Sequence, residues 1–250
     1  MTEFKSMGEW VHSVKMAQKH GRMDERLEAI LPFKMRTKTK LEKWRRNSFW
    51  AKEPETIAWI DSFDPGAVFY DVGANVGVYS LYLASQDPTA KIYAFEPSSA
   101  NWWAMEQNII MNGFENIRTV LMAVGRSDKT VRFLETSKES GATGGQISDR
   151  GISIPCVTLD KFAKLAPAPD YIKIDIDGQE LDVVCGMVRV MMSAKSVLVE
   201  CSPQSRAYVI RMMKMADLTM GNRFNTMVPH SRERRKREGI PEENIIFTRS

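Results

Sequence analysis

The chain has few of the residues that most directly announce a chemistry. Its three cysteines, Cys156, Cys185 and Cys201, stand 29 and 16 residues apart. There is no CxxC pair and no Cys/His set at zinc spacing, so neither a zinc site nor a disulfide framework is expected, and buried thiols in a reducing compartment are. The three histidines, His12, His20 and His230, lie outside every core motif. No run approaches the roughly 18 apolar residues that a membrane span needs, and "MTEFKSMGEWVHSVK" at the start has no apolar h-region. No span and no signal peptide are therefore expected, and the expected compartment is the cytoplasm. A net charge of +4 does not by itself imply a nucleic-acid partner, and no repeat of 20–50 residues is visible.

What is present is a 250-residue chain with 43% apolar and 26% charged residues, enough for one large domain with its own core. Residues 1–50 differ from the rest. They are basic, with helical fragments such as Trp10/Val14 and Leu27/Ile30/Leu31 ahead of Pro32, and are expected to form a helical extension to a domain over 51–250. Seven Lys or Arg against one Glu fall in 34–46, and five against two Glu in 230–238. Such runs are mostly solvated faces and otherwise attract polyanions.

From residue 53 strands and helices alternate. Strands are expected at Val68–Asp71, Lys91–Phe95, Ile117–Met122, Tyr171–Asp175 and Ser196–Glu200. Helices are expected at 53–63, Val78–Ala84, Ser98–Met111, Glu180–Met192 and Pro203–Ala216. Val131–Leu134 and Ile152–Val157 read as an extra strand pair, and "LTM", "FNTMV" and "NIIFT" as closing β segments. This alternation argues for an α/β fold with a doubly wound, mostly parallel sheet. The polar stretch 135–150, "ETSKESGATGGQISDR", is the one long loop, and loops of that length in compact domains are usually functional or disordered.

"FYDVGANVGVYS", residues 69–80, runs from a strand through glycines into a helix. Gly73 and Gly77 allow backbone to approach a ligand, and the helix amides point at the same place. The spacing is Gly-x-x-x-Gly rather than the G-x-G-x-x-G of a dinucleotide fold, and no Lys-Ser/Thr follows as in a P-loop. Asp71 beside the loop disfavours a pyrophosphate and suits a cation. Glu96 ends the next strand, where an acid accepts ribose hydroxyls. Together these point to a nucleoside-bearing ligand with a positive charge; the structural alternative is a tight turn plus a helix-capping Glu.

"DVGANVG", "FEPSSANW" with "NIIMNG", "VTLDKF", "YIKIDIDGQE" and "VLVEC" occur in the order found in FkbM-type S-adenosylmethionine-dependent methyltransferases, which this chain resembles over about residues 50–248. The resemblance implies a seven-stranded, Rossmann-like class I methyltransferase fold and S-adenosylmethionine as cofactor. Carried over by position, Asp71, Gly73, Ala74, Asn75 and Gly77 would wrap the methionine part. Glu96 would hold the ribose with Pro97 and Asn101 beside it, Ala123 would lie near the adenine, and Asp175 would face the methyl. Asp177 stands where the family more often has Glu. "WAKEPET" resembles the family's lead-in, with Trp50 or Glu53 placed to close over the cofactor.

Methyl transfer to a hydroxyl needs positioning and a base. Asp175, Asp177 and Glu180 are the candidate catalytic residues, with Asp175 preferred; Asp177 and Glu180 are also well placed to cap the following helix. Asp175, Asp177 and Glu200 offer hard oxygen ligands, yet strand-end carboxylates are common in this fold without metal, and none is expected. Pro155-Cys156 resembles the Pro-Cys of cytosine methyltransferases but lies inside a strand that precedes Tyr171, so a buried thiol is the reading. No [DN]-P-P-[YFW] occurs, against adenine N-methylation. The leading expectation is O-methylation of a small molecule or glycan. One alternative is an RNA or protein methyltransferase that uses the basic N-terminal segment, with Trp44, Phe49 and Trp50 for stacking. A non-catalytic nucleotide-binding domain is the other.

Overall fold

The computed structural model describes residues 31–221, 224 and 243–249. The expected fragments at Trp10/Val14 and Leu27/Ile30, all three histidines and the 230–238 run lie outside them. Phe224 is helical rather than β, and the rest of "FNTMV" is likewise outside.

Seven strands make the main sheet: β1 (Val68–Val72), β2 (Lys91–Phe95), β3 (Ile117–Val120), β8 (Tyr171–Ile174), β9 (Ser196–Cys201), β10 (Leu218–Met220) and β11 (Glu243–Arg249). Their order is β10-β11-β9-β8-β1-β2-β3. The pairs β1·β2, β2·β3, β1·β8 and β8·β9 are parallel. The pairs β9·β11 and β10·β11 are antiparallel, so β11 alone runs against the others. The chain leaves β1 toward β2 on one side and resumes with β8 on the other. The crevice beyond the carboxyl ends of β1 and β8 is thus the switch point where ligands settle in such sheets. A second sheet, in the order β4-β7-β5-β6, is built from β4 (Ala123–Val124), β5 (Lys129–Leu134), β6 (Gln146–Ile147) and β7 (Ile152–Val157).

Helices cover both faces. α1 (Lys40–Lys52), α2 (Pro54–Ile60), α3 (Val78–Gln86) and α4 (Ser99–Asn112) pack one face with Phe69, Tyr171 and Leu198. On the other face, α5 (Leu159–Phe162), α6 (Glu180–Cys185), α7 (Val188–Ser193) and α8 (Arg206–Met215) pack against Tyr70, Ile172, Ile174, Val197 and Val199. The two-residue period of a strand sorts these sets. It also turns Asp71, Lys173 and Glu200 to the α1–α4 face, at the carboxyl ends of adjacent strands, with Asp71 in register with Lys173.

α1 crosses the expected division at residue 50. Phe33, Met35 and Phe49 share the core of Trp59, Leu81 and Met105, so the chain from 33 onward packs as part of the main domain. The α1 start is held by a capping box: Thr39 Oγ1 accepts the Glu42 amide and the Glu42 carboxylate accepts the Thr39 amide. Of the three aromatics considered for base stacking, Phe49 is buried, Trp50 packs edge-on against Phe49 and Tyr82, and Trp44 is exposed.

The expected helix over Glu180–Met192 is instead two short helices, α6 and α7. Gly186 separates them because β4 passes against it: a Cβ there would stand 2.0 Å from the Gly125 carbonyl oxygen. Helical periodicity carries no information about that approach. α8 likewise starts at Arg206 rather than Pro203, after a turn in which Ser202 and Ser205 bond each other. Among the described residues no helix is long and apolar enough to cross a membrane.

Candidate active site

The turn after β1 is shaped by three left-handed residues, Gly73 (φ 80°), Asn75 (φ 55°) and Gly77 (φ 86°). Gly73 sits so close to the end of β8 that a Cβ would lie 2.0 Å from the Asp175 carbonyl oxygen. At Gly77, the N-cap of α3, a Cβ would press on Met105 at 2.8 Å. Asn75 tolerates its φ because its own Oδ1 accepts the Val76 amide. The loop is tied to β2 by the Gly73 and Ala74 amides, both bonded to the Phe95 carbonyl.

Glu96 stands at the end of β2, 6% exposed. One oxygen accepts the Asn75 amide (2.8 Å), the other the Ser98 amide (2.9 Å). Burial raises its carboxyl to about 7, against the lowering effect of those two amides, of Asn101 and of Arg45.

Three adjoining compartments surround this turn. An apolar slot is lined by Val72, Phe95, Pro97, Met122, Ala123, Phe133, Ile147 and Ile176. The widest compartment, about 690 Å³, holds Glu96, Asn101, Asp175, Asp177 and the loop from Glu135 to Gly145. An inner one lies under α1, between Arg45, Ser48 and Lys52 on one side and Ala74, Tyr79 and Asp175 on the other. The long polar loop is folded over the cleft. The Ala142 carbonyl accepts from Asn75 Nδ2 (2.7 Å) and Asn101 Nδ2 (3.2 Å), and the Gly141 amide donates to Asn101 Oδ1 (2.7 Å). Clasps from α1 hold the same segment: Ser140 Oγ donates to Glu42 and Arg45 Nε to the Gly141 carbonyl.

Behind the inner compartment lies a buried charge cluster. Lys173 Nζ is 2.9 Å from Asp175 and 3.5 Å from Asp71. Lys52 Nζ is 2.6 Å from Glu53, whose other oxygen accepts the Tyr79 hydroxyl at 2.7 Å. Burial opposes ionisation of the Asp175 carboxyl, but Lys173, Lys52 and a hydrogen bond with Glu200 outweigh it and hold Asp175 well below the usual carboxylate range. Glu53 is likewise lowered, burial being outweighed by Lys52 and Lys173. Burial favours neutral Lys173, yet Asp175, Asp71 and Glu53 raise its ammonium above its ordinary value.

The structure therefore brings Gly73, Ala74, Asn75, Glu96, Pro97, Asn101, Ala123, Asp175 and Asp177 to one cleft. Gly77 shapes the turn from behind. Asp71 does not line the cleft: it is 1% exposed, accepts Ser80 Oγ at 2.7 Å and faces Lys173. Asp177 is exposed at the rim, where its carboxylate takes the Gly144 amide at 2.5 Å. Glu180 is not brought to the cleft. It is fully buried in the first turn of α6, accepting the Gly178 amide (2.9 Å) and Ser202 Oγ (3.4 Å), so it braces the turn ahead of that helix and lines none of the three compartments. Glu180→Gln should lower stability by about 1–2 kcal/mol, as for loss of a charged hydrogen bond. Nucleoside affinity should stay within twofold, to be read by urea denaturation and calorimetry on one sample. Trp50 lines none of these three compartments, and Glu53 supports Lys52 from behind.

Arg45, Ser48 and Lys52 are the cleft residues that sequence reading passed over. Their i, i+3, i+7 spacing on α1 is the sequence signal that places all three on one helix face. Among the described residues no group of three His, Cys, Asp or Glu is arranged to hold a metal.

Comparison with known proteins agrees with this architecture. A methyltransferase FkbM domain model matches residues 71–211. The chain is 21% identical over 161 residues to the hexuronic acid methyltransferase AglP of Haloferax volcanii, covering 64% of this chain and 66% of that protein. A 46-residue stretch is 37% identical to the 31-O-demethyl-FK506 methyltransferase FkbM of Streptomyces tacrolimicus, 18% of each chain. The match thus spans less than two thirds of these relatives' length. The FkbM methyltransferase structure from Methylobacillus flagellatus superposes with a TM-score of 0.51 at 14% identity, over 84% of this chain and 50% of that one, and shares the fold. With the family model spanning the glycine turn, Glu96, the end of β8 and β9, the chain belongs to the FkbM methyltransferase family.

Proposed function

We propose that the chain transfers a methyl group from S-adenosylmethionine to a hydroxyl of a glycan or small molecule. The observation that carries this reading is the convergence of the Gly73–Gly77 turn, Glu96 and Asp175 on one cleft at the sheet's switch point. The residues fit the cofactor. Each Glu96 oxygen accepts one amide, Asn101 bonds the same carboxylate, and the acceptor capacity that remains suits ribose hydroxyls. The apolar slot between Phe95, Ala123 and Ile176 suits a flat base. A side chain at Gly73 would collide with the end of β8, so the turn presents bare backbone to the cleft. The group itself supplies an activated methyl on a sulfonium.

The chain's own contribution is placement and field. Asp175, held ionised by Lys173 and Lys52, accepts the acceptor hydroxyl in a hydrogen bond and takes its proton as the new oxygen–methyl bond forms, and it favours positive charge beside it. The loop over 135–145 shields the cleft from water. The glycan reading is supported by AglP, a hexuronic acid methyltransferase by name. The RNA alternative loses two of its three stacking aromatics to core packing.

Calorimetry with S-adenosylmethionine, followed by methyl-labelled cofactor with glycan and small-molecule fractions, tests the reading. Wild type should bind the nucleoside and label a carbohydrate-bearing fraction, and Asp175→Ala should label at least tenfold more slowly. Equal labelling by both proteins removes Asp175 from the site, and absence of nucleoside binding removes the cofactor.

A further inference from the structure

We propose that Arg45, with Ser48 beside it on α1, forms the carboxylate-binding subsite of this cleft. The proposal deepens the cofactor and acceptor reading above and rests on it for the choice of ligands.

Three cations line the inner compartment, Arg45, Lys52 and Lys173. Lys173 is engaged by Asp175 and Asp71, and Lys52 by Glu53. Arg45 has no acid within ion-pair distance among the described residues. Its Nε donates to the Gly141 carbonyl at 2.9 Å, which fixes the plane of the guanidinium and leaves the fork's two terminal nitrogens for a ligand. One helical turn on, the Ser48 hydroxyl lines the same compartment, buried and without a hydrogen-bond partner among the described residues. A buried hydroxyl left unsatisfied costs free energy, and a ligand acceptor at this point would remove that cost.

The mount is rigid. The Thr39/Glu42 capping box sets the start of the helix, and Gly141 packs so tightly on it that a Cβ would lie 3.0 Å from Leu41 and 3.1 Å from the Glu42 amide. The acids of the wider compartment are Glu96, Glu135, Asp175 and Asp177. Glu96 accepts the Asn75 and Ser98 amides and feels the Arg45 charge from beyond ion-pair distance, Asp177 takes the Gly144 amide, and Asp175, which also lines the inner compartment, is held by Lys173. A ligand carboxylate is therefore drawn to the α1 side, where a planar fork and a hydroxyl donor converge, and that pairing selects a carboxylate.

Two carboxylates meet this description: the α-carboxylate of S-adenosylmethionine and that of a uronic-acid acceptor. Calorimetry on wild type, Arg45→Met, Arg45→Lys and Ser48→Ala separates them. One pair of probes is S-adenosylmethionine against its decarboxylated form. The other is D-glucuronate against D-glucose, with and without S-adenosylhomocysteine. Arg45→Met should weaken the carboxylate-bearing member of one pair by about 10- to 100-fold while leaving its neutral partner unchanged. Arg45→Lys should retain part of that affinity, and Ser48→Ala should lose a smaller share. Loss confined to the first pair assigns the subsite to the cofactor, and loss confined to the second assigns it to the acceptor. Comparing two ligands on one variant controls for damage to the fold. Equal weakening of both members, no weakening, or a wild type that discriminates within neither pair overturns the proposal, whether or not S-adenosylmethionine itself binds.

Discussion

Lys173→Met should destabilise the folded chain by about 3–5 kcal/mol at pH 7, the usual cost of removing one partner from a buried ion cluster. That is a large fraction of the roughly 5–15 kcal/mol that holds a domain together. Lys173 is 1% exposed, and its ammonium is the shared partner of Asp175 and Asp71. Without it two carboxylates face each other across the β1·β8 pair, Asp71 shut away from water and Asp175 open only to the cleft. The pH dependence follows from the lowered Asp175 carboxyl. A depressed acid contributes stability above its unfolded value near 3.8, and loses it as pH falls toward the folded value. The variant lacks that contribution, so its deficit should be greatest at neutral pH and shrink below about pH 4, where the acids can take protons. Lys173→Met combined with Asp175→Asn should recover part of the loss. Urea midpoints from pH 3 to 8 measure all three proteins, and a deficit independent of pH would show that packing of the lysine stem, not its charge, is what matters.

Glu96→Gln should weaken nucleoside binding by about 100-fold, because the glutamine amide removes the charge and puts an NH2 donor where one of the two accepting oxygens stands. Its stability should change with pH in the opposite sense to Lys173. A carboxyl raised from 4.5 to about 7 by burial keeps its proton in the folded chain after the unfolded chain has released it. Stability of the ligand-free protein therefore falls as pH rises from about 4.5 to 7, by up to about 3 kcal/mol at roughly 1.4 kcal/mol per pH unit. The glutamine does not titrate. Against wild type it should be destabilised at pH 5, where its amide meets the Asn75 or Ser98 N–H, and should regain that difference by pH 8. Wild-type affinity for the nucleoside should rise from pH 6 to 8 as Glu96 ionises, and that rise should be absent in the variant. Matching pH profiles for the two proteins would mean that Glu96 titrates elsewhere. A site that binds better at the pH where the empty fold is weaker is a common trade between function and stability.

Much of this was legible in the chain. Most strands and helices over 68–134 and 152–201 follow from apolar periods and from Gly/Asn stops such as Asn112-Gly113, and form within a residue or two of expectation; the split of the Glu180–Met192 helix and the short β4 and α5 do not. The Gly73–Gly77 turn and Glu96 were readable because each is a local solution: a positive φ, a strand end, a helix start. Illegible were features created by approach between distant segments. The break at Gly186 is imposed by Gly125, the inward face of α1 by a loop about 95 residues away, and the burial of Glu180 by Ser202.

By itself, the sequence determined the alternation that makes a doubly wound sheet, the order of its motifs and the acid that ends β2, since these rest on backbone preferences and solvent partition along one segment. Only the tertiary structure decided what each acid does. Asp71, Asp175, Asp177 and Glu180 are alike as side chains. Parallel register sets Asp71 behind the cleft against Lys173, chain curvature leaves Asp177 at its rim, and α6 draws Glu180 into the core. A carboxylate takes its role from the charges and amides that folding brings within a few ångströms, and no local pattern encodes them.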